Sequence, residues 1–198
     1  MDDWLKVCIG VTTVLLSIAG HIPYIRDIHK GRTKPHVYTW FIWTVLTALT
    51  CIAQLREGAA AGAWTTATTA LMSLVIFGMS LWRGSHDITK SDTLCLAGAM
   101  IAIGFWVFAR QPLLAVLLAT FIDVLAFVPT VRKTLNRPEQ ETFTTYFIAV
   151  VRNGLAVFAM NSYNIVTLLY PVSLFVMNVG MSSVLLVKDR LQPKKLFR

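Results

Sequence analysis

The stretch LLAVLLATFIDVLAFVPTVRKT, residues 113–134, decides the class of fold. The hydrocarbon core of a bilayer is roughly 30 Å thick, and an α-helix needs about 20 mostly apolar residues to cross it. Asp123 is the sole charged residue of the stretch before Arg132 and Lys133. The sequence therefore predicts a membrane-spanning helix here, with one acidic group near its middle.

Six further apolar stretches of similar length flank this one. Short connections rich in glycine, proline and polar residues separate them. The stretches lack the strict alternation of barrel strands. They lie at about residues 5–25, 37–55, 61–82, 92–109, 143–160 and 164–187. We therefore predict an all-α integral membrane protein with seven transmembrane helices, spans 1 to 7 in chain order.

The composition also indicates a chain that lies in lipid. Apolar residues make up 56% of the 198 residues and charged residues only 14%, whereas soluble domains carry about 25% charged residues. The three cysteines stand alone, and no catalytic or metal-binding motif occurs in the sequence. We predict that the protein is not an enzyme, with no catalytic residues, and that it binds no metal and no cofactor.

The net charge of +8 would favour nucleic acid as the partner of a soluble protein. In a membrane protein the distribution of Lys and Arg among the loops sets the orientation instead. The loops after spans 1, 3 and 5 and the C-terminal tail hold 14 of the 18 basic residues, the opposite side holds 3, and Arg152 lies inside span 6. We predict the N-terminus outside and the C-terminus in the cytoplasm, in the cell (inner) membrane. The lipid bilayer is then a partner and nucleic acid is not.

The chain contains an internal repeat at an offset of 106 residues. Pro23 and Arg26 at the end of span 1 match Pro129 and Arg132 at the end of span 5. Three helices reverse the direction of the chain and a fourth restores it, so repeats made of spans 1–3 and of spans 5–7 are parallel.

This repeat predicts a 3+1+3 arrangement, in which two parallel three-helix bundles are joined by an inversion-linker helix. The predicted divisions are a first repeat over residues 1–83, a linker helix within 84–111, and a second repeat with a basic cytoplasmic tail over 112–198.

Two short stretches carry a family resemblance: IPYIR, residues 22–26, and VPTVR, residues 128–132. A proline near the inner end of the first helix of each repeat, together with the 3+1+3 count, resembles the SWEET and PQ-loop (MtN3-like) superfamily of small seven-helix membrane transporters. The run NGL, residues 153–155, is similar to the Asn-Gly-Leu of the second SWEET repeat. The resemblance implies alternating access between the repeats and a role for Asn153 in substrate binding.

Polar side chains near the predicted midpoints of the spans are the candidates for a binding site. Polar groups are costly in hydrocarbon and usually face the interior of a bundle or a cavity. Under the offset of 106, Ser17 pairs with Asp123 and Thr47 with Asn153. The candidate substrate-binding residues are Ser17, Trp43, Thr47, Asp123, Arg152, Asn153 and Asn178.

Asp123 and Arg152 have two interpretations. The first is a buried ion pair that ties span 5 to span 6, because one buried charge is best tolerated beside the other. The second is that they line the solute cavity, where the planar guanidinium of Arg152 would hold a carboxylate or a phosphate. A proton taken up by Asp123 would then make transport pH-dependent. Trp43 lies one helical turn before Thr47 and would add an aromatic wall.

The two matched prolines are candidate hinges. Pro23 and Pro129 each remove a helix hydrogen bond near the cytoplasmic end of a span, and hinges are a few positions that absorb backbone change. Tyr24 follows the first proline and is a candidate gate residue that closes the pore. The alternative is that the prolines mark the points where the helices end.

These features together predict a multi-pass transporter that moves a small polar solute, sugar-like or related, by alternating access around a midplane site. Two alternatives stay open. One is a PQ-loop-like membrane receptor or structural protein that transports nothing. The other is a carrier of a vitamin precursor of the nicotinamide riboside type. The sequence also leaves open whether the chain forms a homo-oligomer.

Overall fold

A computed structural model describes residues 3–56, 62–85, 87–109, 111–158 and 165–191. These residues form seven α-helices and one short 3₁₀ turn, Pro138–Gln140, between the fifth and sixth helices. The helices are α1 (Asp3–His29), α2 (Val37–Arg56), α3 (Gly62–Arg83), α4 (Lys90–Val107), α5 (Pro112–Asn136), α6 (Phe143–Phe158) and α7 (Ile165–Leu191). The predicted all-helical class and the number of helices are confirmed, and the described residues contain no strand.

Four segments are long and apolar enough to cross a membrane, by length and composition. They are Val7–His29, Lys90–Val107, Leu113–Asn136 and Leu168–Lys188, and a shorter apolar helix covers Val37–Ile52. These segments indicate that the chain is an integral membrane protein. That all seven helices cross the bilayer stays a prediction.

The distribution of side chains fits a lipid environment. Each helix exposes large apolar side chains, including Leu15, Ile52, Leu71, Phe105, Phe121, Phe147 and Val176. The interior holds many polar ones, including Ser17, Thr39, Ser73, Asp123, Thr130 and Asn178. A soluble domain has the opposite preference, because burying a polar group costs free energy that facing water avoids. Lipid reverses that preference, since polar groups there are best placed inside the bundle.

Helices α1 and α5 continue past their internal prolines. α1 ends at His29, four residues beyond the predicted boundary, and α5 ends at Asn136. Proline removes one hydrogen bond from a helix but does not forbid its continuation. Beyond Pro23, the fully buried Tyr24 and Ile28 pack against α2 and α3 and hold the last turns in place. The interpretation that the prolines mark helix ends is therefore wrong.

The first three helices and the last three pack in the same order. Helix α3 contacts both α1 and α2, and α7 contacts both α5 and α6. The two groups meet through α1 against α6 and through α2 against α5. Helix α4 lies outside this pattern, against α5 and α2. Ala99 and Ala102 of α4 are buried there, and such small side chains allow helices to approach closely in a membrane.

The loop that follows α3 turns tightly around Gly84. Its N–H donates to the carbonyl of Ser80 at 2.9 Å, and the next residue, Ser85, donates its N–H to the carbonyl of Pro35 at 2.9 Å. A Cβ atom at position 84 would lie 2.2 Å from the Ser80 carbonyl oxygen and 2.9 Å from that of Pro35. Glycine is therefore required here by close backbone approach.

We expect Gly84→Ala to lower the free energy of unfolding by about 1–3 kcal/mol, the usual cost of forcing extra volume into a packed site. The matched control is Gly78→Ala within α3, where a Cβ would meet nothing within 4 Å. That change should be neutral or stabilising by up to about 1 kcal/mol, because alanine is the better helix former. Urea unfolding in detergent micelles measures both, and equal losses in the two variants would contradict this account.

Candidate functional site

A cavity of about 110 Å³ lies in the middle of the molecule, between the two groups of three helices. A buried water needs roughly 10–15 Å³ of such space, so the cavity has room for several waters or for a small solute. Its lining comes from α1, α2, α3, α5, α6 and α7. The polar and aromatic lining residues are Ser17, His21, Trp40, Trp43, Thr47, Thr69, Ser73, Asp123, Thr145, Tyr146, Arg152, Tyr170 and Asn178.

Six of the seven residues predicted to bind substrate line this cavity. They are Ser17, Trp43, Thr47, Asp123, Arg152 and Asn178. The seventh, Asn153, is buried but is not among the lining residues. The lining residues of α6 are Thr145, Tyr146, Ile148, Ala149 and Arg152. Asn153 follows Tyr146 by seven residues and Ala149 by four, so helical spacing places it on the same face of α6. The structure nevertheless buries it outside the lining.

Arg152 links the two groups of helices across the cavity. Its Nη1 donates to Ser17 Oγ of α1 at 3.1 Å and to Thr69 Oγ1 of α3 at 3.3 Å. The two hydroxyl oxygens are themselves 3.1 Å apart. The guanidinium is thus anchored to neutral hydroxyl groups of the opposite group of helices.

Asp123 faces the same cavity from α5 and is 2% exposed. No salt bridge joins it to Arg152, although both residues belong to the described part of the chain. The indole of Trp43, which also lines the cavity, neighbours the carboxyl group. Neither Trp43 Nε1 nor Asp123 Oδ2 has a partner at full hydrogen-bond geometry among the described residues. The interpretation of Asp123 and Arg152 as a direct ion pair is therefore not realised in this structure.

Tyr170 of α7 is a cavity residue that the sequence reasoning missed. It lines the cavity together with Asp123 and Arg152. Tyr170, Leu174 and Asn178 follow one another at intervals of four residues, and all three line the cavity. The same spacing links Ser17 to His21 on α1 and Thr69 to Ser73 on α3. Helical periodicity, extended from the predicted midplane residues, would have found these neighbours.

The three candidate gate residues are not among the residues that line the cavity. Tyr24 is fully buried and accepts a hydrogen bond of 3.3 Å from Trp40 Nε1. Pro23 and Pro129 lie inside α1 and α5. Trp40 and Tyr146 occupy equivalent positions of the internal repeat, and both line the cavity.

A buried polar cluster that includes Tyr146 lies at the end of the bundle that carries the α1–α2 and α5–α6 loops. We call Tyr24, Lys133, Glu141 and Tyr146 the gate cluster. Lys133 Nζ donates to Glu141 Oε1 and to the backbone carbonyl of Lys34. Tyr146 donates to Glu141 Oε2 at 2.9 Å. The side chains of Lys133 and Glu141 are both 0% exposed, so the cluster excludes water from this end.

The same two loops also contact each other directly. The backbone N–H of Lys34 donates to the carbonyl of Gln140 at 3.0 Å. The hydroxyls of Thr33 and Thr142 are 2.6 Å apart, and Thr142 donates to Asp27 at 3.2 Å. Together with the gate cluster, these bonds join the two groups of helices at this end of the bundle.

The buried contact between Lys133 and Glu141 can be tested directly by its contribution to the free energy of unfolding. We expect Lys133→Met to lower the free energy of unfolding by about 3–5 kcal/mol, because it leaves a buried carboxylate without its cation. The double variant Lys133→Met with Glu141→Leu should recover a large part of the loss. A double-mutant cycle by chemical unfolding in detergent measures the coupling.

The control for this cycle is Lys30→Met, at an exposed position of the α1–α2 loop. Surface substitutions usually change stability by less than about 0.5 kcal/mol. Simple additivity of the losses at Lys133 and Glu141 would show that the two side chains do not act as a pair.

A second polar network ties α4 and α5 to the α1–α2 loop. Arg132 Nη2 contacts Asp92 Oδ2 at 2.8 Å and also donates to the backbone carbonyl of Asp87 at 2.6 Å. Asp92 accepts an N–H bond of 2.8 Å from Thr89 in a capping box at the start of α4. His36 Nε2 lies 3.4 Å from Asp92 Oδ2, and both side chains are fully buried.

His36 should make stability depend on pH. Burial lowers the pKa of its imidazole, and the nearby Asp92 carboxylate opposes part of that shift. Below the usual histidine pKa of about 6.5 the unfolded chain therefore takes up a proton that the folded chain binds less readily, so stability is lost as the pH falls.

We expect the thermal unfolding temperature of the wild type to fall between neutral pH and mildly acidic pH, and His36→Gln to reduce that fall. His29→Gln, at an exposed position, is the control. An unchanged pH dependence in His36→Gln would show that another group is responsible.

The residues described by the structure contain no cluster of His, Cys, Asp and Glu side chains that could hold a metal ion. No protein-family model, curated protein or solved structure matches the chain significantly. The fold and the site together define the class at a coarse level: a helical membrane protein with a cavity between its helices that one acidic and one basic side chain line.

Proposed function

We propose that the protein is a transporter that moves a small polar solute across the membrane by alternating access around the central cavity. One observation carries the proposal. A cavity lined by one acidic and one basic side chain lies between two groups of helices, and buried contacts join those groups at one end of the bundle. A purely structural bundle gains nothing from such a space, since membrane helices are stabilised by close packing.

The packing order supports a 3+1+3 arrangement. Each outer group has its third helix between the other two, and the contacts of α1 with α6 and of α2 with α5 exchange under the internal repeat. Helix α4 contributes no residue to the cavity lining that the structure describes. These are the features expected of two parallel repeats joined by a linker helix, with a binding site at the interface between repeats. We propose membership of the SWEET and PQ-loop superfamily on this ground and on the sequence resemblance.

The position of the gate cluster supports an opening movement at the end of the bundle where the α1–α2 and α5–α6 loops meet. Opening the closed end requires the α1–α2 loop to separate from the α5–α6 loop, which breaks the bond from Lys133 to the Lys34 carbonyl. Pro23 and Pro129 lie in the helices that lead into these loops, at equivalent positions where backbone change is cheapest. With the N-terminus outside, this end faces the cytoplasm.

Uptake into proteoliposomes tests the proposal, with a panel of sugars, amino acids, carboxylates and nucleosides. We expect saturable uptake of at least one solute by the wild type. Arg152→Gln should reduce its initial rate about tenfold or more, because hydrogen bonds to charged groups are worth about 1.5–3 kcal/mol. Asn178→Ala tests the α7 wall of the cavity, and Ser183→Ala, an exposed position on the same helix, is its control.

The outcome separates the candidate functions. Uptake that survives in Arg152→Gln but is lost in Asn153→Ala would move the site to the residue that the family resemblance implies. Competition by nucleosides would favour the vitamin-precursor carrier. No flux of any solute through protein shown to be folded would overturn the proposal and favour a receptor or a structural protein.

A further inference from the structure

We infer that the solute is a small zwitterion, with an ammonium and a carboxylate on one short carbon chain, held by Asp123 and Arg152. This inference rests on the proposed function and names the substrate class of that site. The observation behind it is the juxtaposition of two opposite charges that face one cavity without pairing with each other.

The guanidinium of Arg152 has N–H donors that no described residue uses. Arg152 is the one Lys or Arg among the lining residues that the structure describes. Its Nη1 is bound to two neutral hydroxyls, and no bond from Nη2 or Nε reaches a described residue. A guanidinium offers five N–H donors in a planar fork that matches a carboxylate. Ser17 and Thr69 fix one corner of that fork, so its other donors are available to an anionic group.

The acidic side of the site is incomplete as well. Asp123 is the one Asp or Glu among the described lining residues. It is buried, its Oδ2 has no hydrogen-bond partner in the described part of the chain, and Trp43 is its polar neighbour. An ammonium group would supply both the countercharge and the N–H donors that this carboxylate lacks.

The charge balance selects the class of solute. With both side chains ionised, a neutral polyol would leave both without a countercharge, a simple carboxylate would leave Asp123 unpaired, and a simple amine would leave Arg152 unpaired. An uncompensated charge away from water is costly, so each of these solutes binds with a penalty that a zwitterion avoids. The cavity of about 110 Å³ further restricts the solute to a small molecule.

The test uses a matched series of small compounds on the purified full-length protein at neutral pH. Alanine and γ-aminobutyrate carry both charges at two different separations, N-acetylalanine keeps the carboxylate alone, alaninamide keeps the ammonium alone, and glycerol carries neither. Binding is measured by the rise in unfolding temperature with concentration, which follows from ligand linkage. We expect at least one zwitterion to bind, and the three other compounds to bind tenfold or more weakly.

Two variants should weaken the preference for the zwitterion if the assignment is correct. In Asp123→Asn the penalty on N-acetylalanine should shrink about tenfold relative to the best zwitterion. In Arg152→Gln the penalty on alaninamide should shrink likewise. Ser183→Ala should leave the whole series unchanged. If either charge variant does not fold, the compound series on the wild type decides alone.

The failures of the two proposals are distinguishable. Binding and uptake of glycerol, N-acetylalanine or alaninamide as strong as that of both zwitterions would overturn the zwitterion and leave the transporter standing. Uptake of sugars or nucleosides with no response to either zwitterion would do the same. Absence of both binding and uptake across this series and the wider solute panel would overturn both proposals.

Discussion

The cost of placing a charged group in hydrocarbon is the constraint on which the rest of the structure depends. A charged side chain at the middle of a bilayer costs a few kcal/mol on insertion scales, and more where water cannot follow it. Asp123 and Arg152 line a cavity that six helices surround, which keeps both groups away from the lipid-facing surface. The outward faces of the same helices carry leucine, valine and phenylalanine. The polar interior and the apolar exterior are thus two results of one requirement.

The two halves of the chain line the cavity from equivalent positions but with different side chains. Equivalent positions hold Ser17 and Asp123 on the first helices, and Trp40 and Tyr146 on the second helices. All four side chains line the cavity. Equivalent backbone positions therefore present different chemistry, which makes the cavity asymmetric. A symmetric cavity would present the same charge twice, and two like charges at this depth would repel each other.

Much of the fold could be predicted because hydropathy is a strong signal over 20 residues. The seven helices and most of the cavity lining follow from it and from helical spacing. The exclusion of Asn153 from the cavity lining could not be predicted, because helical spacing puts it on the same face of α6 as the lining residues Tyr146 and Ala149. Its burial depends on how α6 packs against its neighbours, which local sequence does not specify. In the sequence, Lys133 is one of many basic residues near the ends of the spans, and nothing distinguishes it from the others. Its pairing with Glu141 and with the Lys34 carbonyl depends on how two distant loops meet. Local sequence does not contain that information.

The bond from the Lys34 N–H to the Gln140 carbonyl joins two positions that are equivalent under the offset of 106 residues. A contact between equivalent positions is what an isologous interface places on its two-fold axis. The pairs α1 with α6 and α2 with α5 are likewise one interface made twice. The contacts between the two groups of helices in this single chain are therefore arranged as they would be in the interface of a homodimer. An interface between two identical copies would carry the same residue twice at the position of Ser17 and Asp123. Covalent linkage through α4 removes that obligation and frees each half to diverge.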